Sequence, residues 1–218
     1  MAAAADMTGS APPEFLTRWP VIPVVTLTDA QLAVPLARAL LSGGIGVIEV
    51  TLRHAEGLRS IAIIAREVPE MQIGAGTALS GADLRAAAQA GATFAVSPGS
   101  TGSLLSEART LGLPYLPAVA TPSELMTGLE AGYRYFKFFP ATAAGGIDML
   151  RALQQPFPQA RFCATGGISA ANAPEYLRLA NVLCVGGSWL VSAEALARRD
   201  WGRVSSLAAE AAALRRPT

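Results

Sequence analysis

Lys137 is the only lysine in the chain, and the other 16 basic residues are all arginines. It sits in Tyr135-Phe136-Lys137-Phe138-Phe139-Pro140, an aromatic run that reads as a strand. A chain that uses Arg everywhere else and keeps Lys among aromatics needs an amine that can lose its proton. Arg cannot do so, whereas Lys can when it is desolvated or set beside another cation. The neutral amine is the nucleophile that condenses with a carbonyl to give a Schiff base. The competing reading is a lysine snorkelling from a strand edge with its head in water, for which a mid-strand position in a parallel barrel offers little route.

A second group of polar residues stands at Glu49-Val50-Thr51-Leu52-Arg53. Side chains alternate along a strand, so Glu49, Thr51 and Arg53 share one face and Ile48, Val50 and Leu52 the other. Three polar groups on the inward face exceed what a core layer tolerates, and they suit acid–base work and carboxylate binding. An internal Glu49–Arg53 ion pair is the structural alternative. Gly74-Ala75-Gly76-Thr77 leaves room for a ligand to approach the backbone and adds a hydroxyl, or it is simply a tight turn. Ser97-Pro98-Gly99 reads first as a turn and second as a pocket wall. Thr165-Gly166-Gly167 and Gly186-Gly187-Ser188 suit a phosphate held by backbone N–H groups, with plain turns as the alternative.

These groups fall at the ends of regularly spaced strands. Strand patterns cover Val21–Leu27, Gly46–Leu52, Gln72–Ala78, Thr93–Ser97, Tyr115–Ala120, Tyr135–Phe139, Arg161–Ala164 and Asn181–Val185. Helical patterns lie between them, at Ala30–Leu41, Glu56–Val68, Ala82–Ala90, Leu104–Leu111, Ser123–Ala131, Ile147–Leu153 and Ala171–Leu179, with a last one at Ser205–Leu214. Thr121-Pro122-Ser123-Glu124 carries N-cap chemistry, and Gly112 and Gly132 close helices. Eight strand–helix units in strict alternation imply parallel strands, and eight closes a (β/α)8 TIM barrel. An open doubly wound sheet is the competing architecture. The expected layout is a flexible tail over residues 1–13 and one barrel domain over 14–218, with a short helix from Glu14 to Trp19 plugging the floor.

Composition narrows the function classes. The 218 residues are 51% hydrophobic and 15% charged, with 17 basic against 16 acidic residues and a net charge of +1. That balance excludes a nucleic-acid binder working through a basic face. Mean hydropathy is +0.37, yet charge, Gly or Pro breaks each apolar run before it could span a membrane. No signal peptide is evident. Cys163 and Cys184 lie in apolar runs, which suits buried core thiols in the cytoplasm. His54 is the single histidine, so no metal set and no Ser-His-Asp triad can be assembled, and His54 reads as a rim residue.

Six of these segments resemble, in order and spacing, the signatures of the 2-keto-3-deoxy-6-phosphogluconate and 4-hydroxy-2-oxoglutarate aldolases of class I. They are Glu49-Val50-Thr51-Leu52-Arg53, Gly74-Ala75-Gly76-Thr77, Ser97-Pro98-Gly99, Phe136-Lys137-Phe138-Phe139-Pro140-Ala141, Thr165-Gly166-Gly167-Ile168 and Gly186-Gly187-Ser188-Trp189. The resemblance runs from about Val21 to Arg203. It implies a (β/α)8 barrel, a homotrimer, no metal and no cofactor, and a place in the Entner–Doudoroff pathway. It implies Lys137 as the Schiff-base residue, Glu49 as the general acid/base, and Arg53 and Thr77 on the pyruvate carboxylate. Phe139 and Pro98 would be pocket walls, and Gly166, Gly167, Gly187 and Ser188 would hold the phosphate of a keto-deoxy sugar acid. Thr165 matches the gluconate-type enzymes, where galactonate-type relatives tend to carry Val. Thr142, Ala164 and His54 depart from the usual residues of the family, which leaves substrate range open. Rival readings are action on the galactonate epimer or on 4-hydroxy-2-oxoglutarate, a phosphate-binding isomerase or synthase using Lys137 as plain acid/base, and a non-catalytic phosphosugar binder.

Overall fold

A computed structural model of the protein describes residues 11–214. Nine short strands occur among them: β1 (Val21–Val25), β2 (Val47–Thr51), β3 (Gln72–Gly76), β4 (Phe94–Val96), β5 (Tyr115–Leu116), β6 (Ala118–Val119), β7 (Tyr135–Phe138), β8 (Arg161–Thr165) and β9 (Val182–Gly187). All pairings between them are parallel, in the order β5-β4-β3-β2-β1-β9-β8-β7-β6. The two ends of that order are separated in the chain by Pro117 alone. A proline has no N–H for the ladder, so it interrupts the strand expected over Tyr115–Ala120. Its carbonyl still accepts from Lys137 N at 2.8 Å. β5 and β6 are thus one barrel strand in two pieces, and the sheet closes on itself. An open doubly wound sheet would end in two separate edges.

The helices are α1 (Glu14–Thr17), α2 (Ala33–Ser42), α3 (Glu56–Glu67), α4 (Gly81–Gln89), α5 (Gly102–Leu111), α6 (Pro122–Glu130), α7 (Gly146–Gln154), α8 (Ala173–Leu177), α9 (Ala193–Arg198) and α10 (Trp201–Ala212). Residues Ala30–Leu32, expected as helix, form a 3-10 turn capped by Asp29, whose side chain accepts from Gln31 N. α6 opens on the expected capping chemistry, with Thr121 and Glu124 each bonding the other's backbone. α9 is a helix the sequence pattern did not indicate; Ser192 caps it by accepting from Ala195 N. Helices cover the outside and side chains fill the inside, so both faces of the strands are buried, as in β2, where all five residues are.

α1 closes the N-terminal end of the barrel. Phe15 and Leu16 are buried, and the Phe15 ring stacks on Phe94 at 4.1 Å between centroids and 8° between planes. Phe94 can lie across the floor because Gly74, its neighbour on β3, has no side chain: a Cβ there would stand 2.2 Å from the ring. Gln72 Nε2 donates to Glu14 Oε2 at 3.1 Å, and Trp19 Nε1 to the Gly44 carbonyl at 3.1 Å. The helix is two residues shorter than expected, ending at Thr17. Of the tail expected over residues 1–13, positions 1–10 lie outside the described residues, as do 215–218; Pro13 is buried at the N-cap of α1. No helix among the described residues is long and apolar enough to cross a membrane.

Candidate active site

The C-terminal strand ends bring the predicted residues together. Lys137, the third residue of β7, and Glu49, the third of β2, meet inside the barrel. Lys137 Nζ donates to Glu49 Oε1 at 3.1 Å and to Oε2 at 3.3 Å. The two residues are 5% and 4% exposed. Two charges this far from water are stable only when paired and hydrogen-bonded. Glu49 therefore pairs with Lys137, not with Arg53, and the alternative internal ion pair within β2 does not form. Gly76 makes the arrangement possible, because a Cβ on it would lie 2.3 Å from Glu49 Oε1. The Phe139 ring stands 5.3 Å from Lys137 Nζ, a cation–π contact that fixes one side of the amine.

Arg53 leaves β2 for the rim, where it is exposed and its Nε donates to Thr77 Oγ1 at 3.2 Å. Thr77 has φ +62°, in the left-handed region a β-branched residue rarely enters. That backbone turns its hydroxyl onto the guanidinium. The pair leaves most of the planar fork of Arg53 for a carboxylate. His54 is exposed beside it, its Nδ1 accepting from Glu56 N at the start of α3, as a rim residue should.

Phe139, whose ring meets Lys137 Nζ, also lines a cavity of about 710 Å³, together with Arg53, Thr165, Gly166, Gly167, Gly187 and Ser188 among others; Lys137 and Glu49 are not part of that lining. Gly166 and Gly167 line the cavity with φ of +100° and +76°, a backbone conformation open to glycine and rarely to other residues. A Cβ on Gly187 would strike the Trp189 ring, and one on Gly186 would lie 2.3 Å from Thr165 Oγ1. Pro98 is half-buried after β4 and does not line this cavity. Three features were not foreseen. Thr26, after β1, lines the cavity and shares a 2.8 Å hydrogen bond with buried Thr51. Val191, Ser192, Ala193 and Leu196 form the wall beyond Ser188. Cys163, expected as a plain core thiol, lies 3.7 Å from Thr165 Oγ1. Thr26 is one hydroxyl in an apolar strand pattern and gave no signal, whereas alternation with Thr165 could have located Cys163. Among the described residues no group of three or more His, Cys, Asp and Glu is gathered as metal ligands would be.

A family model for KDPG and KHG aldolase matches residues 13–207. The chain belongs to this family. It is 50% identical over 197 residues to the KHG/KDPG aldolase of Escherichia coli K12, covering 90% of this chain and 92% of that one. A solved KDPG aldolase from Legionella pneumophila, with pyruvate captured as a covalent carbinolamine, superimposes with a TM-score of 0.90 at 45% identity, covering 91% of this chain and 97% of that one. The Zymomonas mobilis ZM4 KDPG aldolase, solved with 3-phosphoglycerate, gives 0.89 at 43% identity, with 93% and 95% covered. The fold of the KDPG and KHG aldolase family and the barrel described above are thus the same along nearly the whole chain.

Proposed function

We propose that the protein is a class I aldolase that cleaves 2-dehydro-3-deoxy-6-phosphogluconate to pyruvate and D-glyceraldehyde 3-phosphate through a Schiff base on Lys137. The observation that carries this reading is the buried 3.1 Å contact between Lys137 Nζ and Glu49 inside the barrel, beside Phe139 of the cavity lining. The contact gives the ammonium proton somewhere to go, and the freed amine attacks the C2 ketone. Loss of water leaves a protonated imine, an electron sink one bond from C3. The C3–C4 bond then breaks while the C4 hydroxyl proton passes to Glu49, directly or through water, and the aldehyde leaves. Glu49 returns a proton to C3 of the enamine, and hydrolysis frees pyruvate and restores the amine.

Binding groups flank this centre. Arg53 with Thr77 takes the pyruvate carboxylate, and Phe139 acts as a wall, whereas Pro98, expected as a second wall, is not part of the cavity lining. Gly166, Gly167, Gly187 and Ser188 take the phosphate, in keeping with the phosphorylated three-carbon acid in the Zymomonas relative's structure. Phosphate held away from the breaking bond supplies orientation, worth several kcal/mol. Thr165 favours the gluconate configuration.

A homotrimer, a cytoplasmic setting and an Entner–Doudoroff role complete the reading. The exposed Met126 on α6 and Leu79 after β3 are apolar surface that a subunit contact would cover. A second reading, cleavage of 4-hydroxy-2-oxoglutarate, is favoured by the Escherichia coli relative, which is named for both activities. The deciding experiment compares kcat/KM for the phosphogluconate substrate, its galactonate epimer and 4-hydroxy-2-oxoglutarate. The highest value belongs to the first; a higher value for either of the others, or no cleavage of any, contradicts the proposal.

A further inference from the structure

The proposed chemistry leaves two nucleophiles in the barrel unused. Cys163 of β8 and Cys184 of β9 are directly opposite one another in the parallel register, and both are buried. Cys163 alternates along β8 with Thr165, which lines the cavity, so its side chain is on the inner face, and Cys184 stands beside it in the register. Adjacent parallel strands lie about 4.8 Å apart, within the range of Cα separations that a disulfide bridges. The pair is also beside the centre of the site. Cys163 is the register partner of Lys137 across β7 and β8, and its Sγ lies 3.7 Å from the hydroxyl of Thr165, which lines the cavity. A small oxidant that enters the cavity is therefore one residue layer away from the thiols.

We propose that Cys163 and Cys184 form an oxidisable dithiol whose closure to a disulfide reversibly lowers turnover at Lys137. Cys163 is the thiol that reacts first, because it borders Thr165 of the cavity lining. The Cys184 thiol beside it, the Thr165 hydroxyl and the Lys137 charge favour its thiolate, and together they outweigh burial and the Glu49 charge, so its pKa lies below the ordinary thiol value. The Cys163 thiolate attacks one oxygen of hydrogen peroxide, the O–O bond breaks, and hydroxide leaves and takes up a proton as water. The resulting sulfenic acid is attacked by the Cys184 thiol, the S–O bond breaks, and a second water leaves. The sum is two thiols and one peroxide giving one disulfide and two waters, and a dithiol reductant reverses it.

Closure sets the sulfurs about 2.05 Å apart, which draws β8 and β9 together at this pair and pulls on the strand that pairs with Lys137. A displacement of about 1 Å near a reacting group costs about a hundredfold in rate. The effect on turnover rests on the aldolase reading, whereas the cross-link does not, so the test reads the two separately. The purified full-length protein is treated with hydrogen peroxide, without substrate, and its intact mass is measured before and after. The expected result is a loss of about 2 Da, the two thiol hydrogens, with the tryptic peptides from Phe162 to Arg178 and from Leu179 to Arg198 joined. Cleavage activity then falls about a hundredfold and returns with dithiothreitol, while Cys184→Ala and Cys163→Ala, each assayed separately, lose neither mass nor activity on the same treatment. No joined peptide, oxygen added to one cysteine without a link, or a link that leaves activity unchanged overturns the proposal. A link in an enzyme that cleaves none of the substrates would count against the aldolase reading and leave the dithiol chemistry standing.

Discussion

The two ends of the barrel are built from the same alternating strands and solve opposite problems. At the floor, glycine removes a side chain so that rings can pack: Gly74 makes way for Phe94, and Phe15 closes the stack. At the mouth, glycine removes a side chain so that charge can be held. Gly76, two residues further along the same strand, makes way for the carboxylate that pairs with Lys137. The floor is closed by stacked rings, with the Gln72–Glu14 hydrogen bond beside them. The mouth has a buried ion pair and a threonine at φ +62°, with two glycines of positive φ opposite. Stability is thus concentrated at one end and reactivity at the other, and substitutions at the two ends should separate the two properties.

The largest separation is expected at Lys137. Lys137→Met keeps the volume and removes the amine; turnover should fall below detection while circular dichroism reports an intact fold. Near-normal activity in the purified variant would falsify the assignment. Glu49→Gln comes next, with kcat lowered about 10²–10⁴-fold, the usual worth of a positioned acid/base. An unaltered kcat would remove Glu49 from the mechanism. At the floor, Phe15→Ala should cost about 3–5 kcal/mol in denaturant unfolding with kcat per folded molecule unchanged. If activity falls with stability intact, the two ends are coupled in a way the packing does not suggest. The smallest effect is expected for Ser188→Ala, where KM rises more than kcat falls. An unchanged KM would take Ser188 out of the phosphate cradle.

Much of this was legible before any coordinates. Strict alternation revealed the barrel, and one lysine against 16 arginines pointed to the amine. Period-two alternation in β2 correctly set Glu49 and Thr51 apart from their apolar neighbours, but the strand ends at Thr51, and Arg53 stands in the turn beyond it, exposed at the rim. Other features needed three dimensions. That Glu49 chooses Lys137 over Arg53 depends on which strands face each other across the barrel, 88 positions apart in the chain. The break at Pro117 was readable as a missing donor, but not the way the sheet closes around it. α9 escaped because Ala193–Arg198 is short and lacks a clear apolar period, its start set by one serine cap. The Cys163–Cys184 pairing was hidden by a register shift between β8 and β9 at Phe162/Cys163.

The central claim is that Lys137 is the amine that becomes covalently bound to substrate. It is tested most directly by adding pyruvate and borohydride to the protein, then measuring intact mass and mapping the modified peptide. The account predicts one reduced pyruvate unit per chain, located on Lys137. No adduct in a folded, pyruvate-saturated sample, or an adduct on another residue, would contradict it.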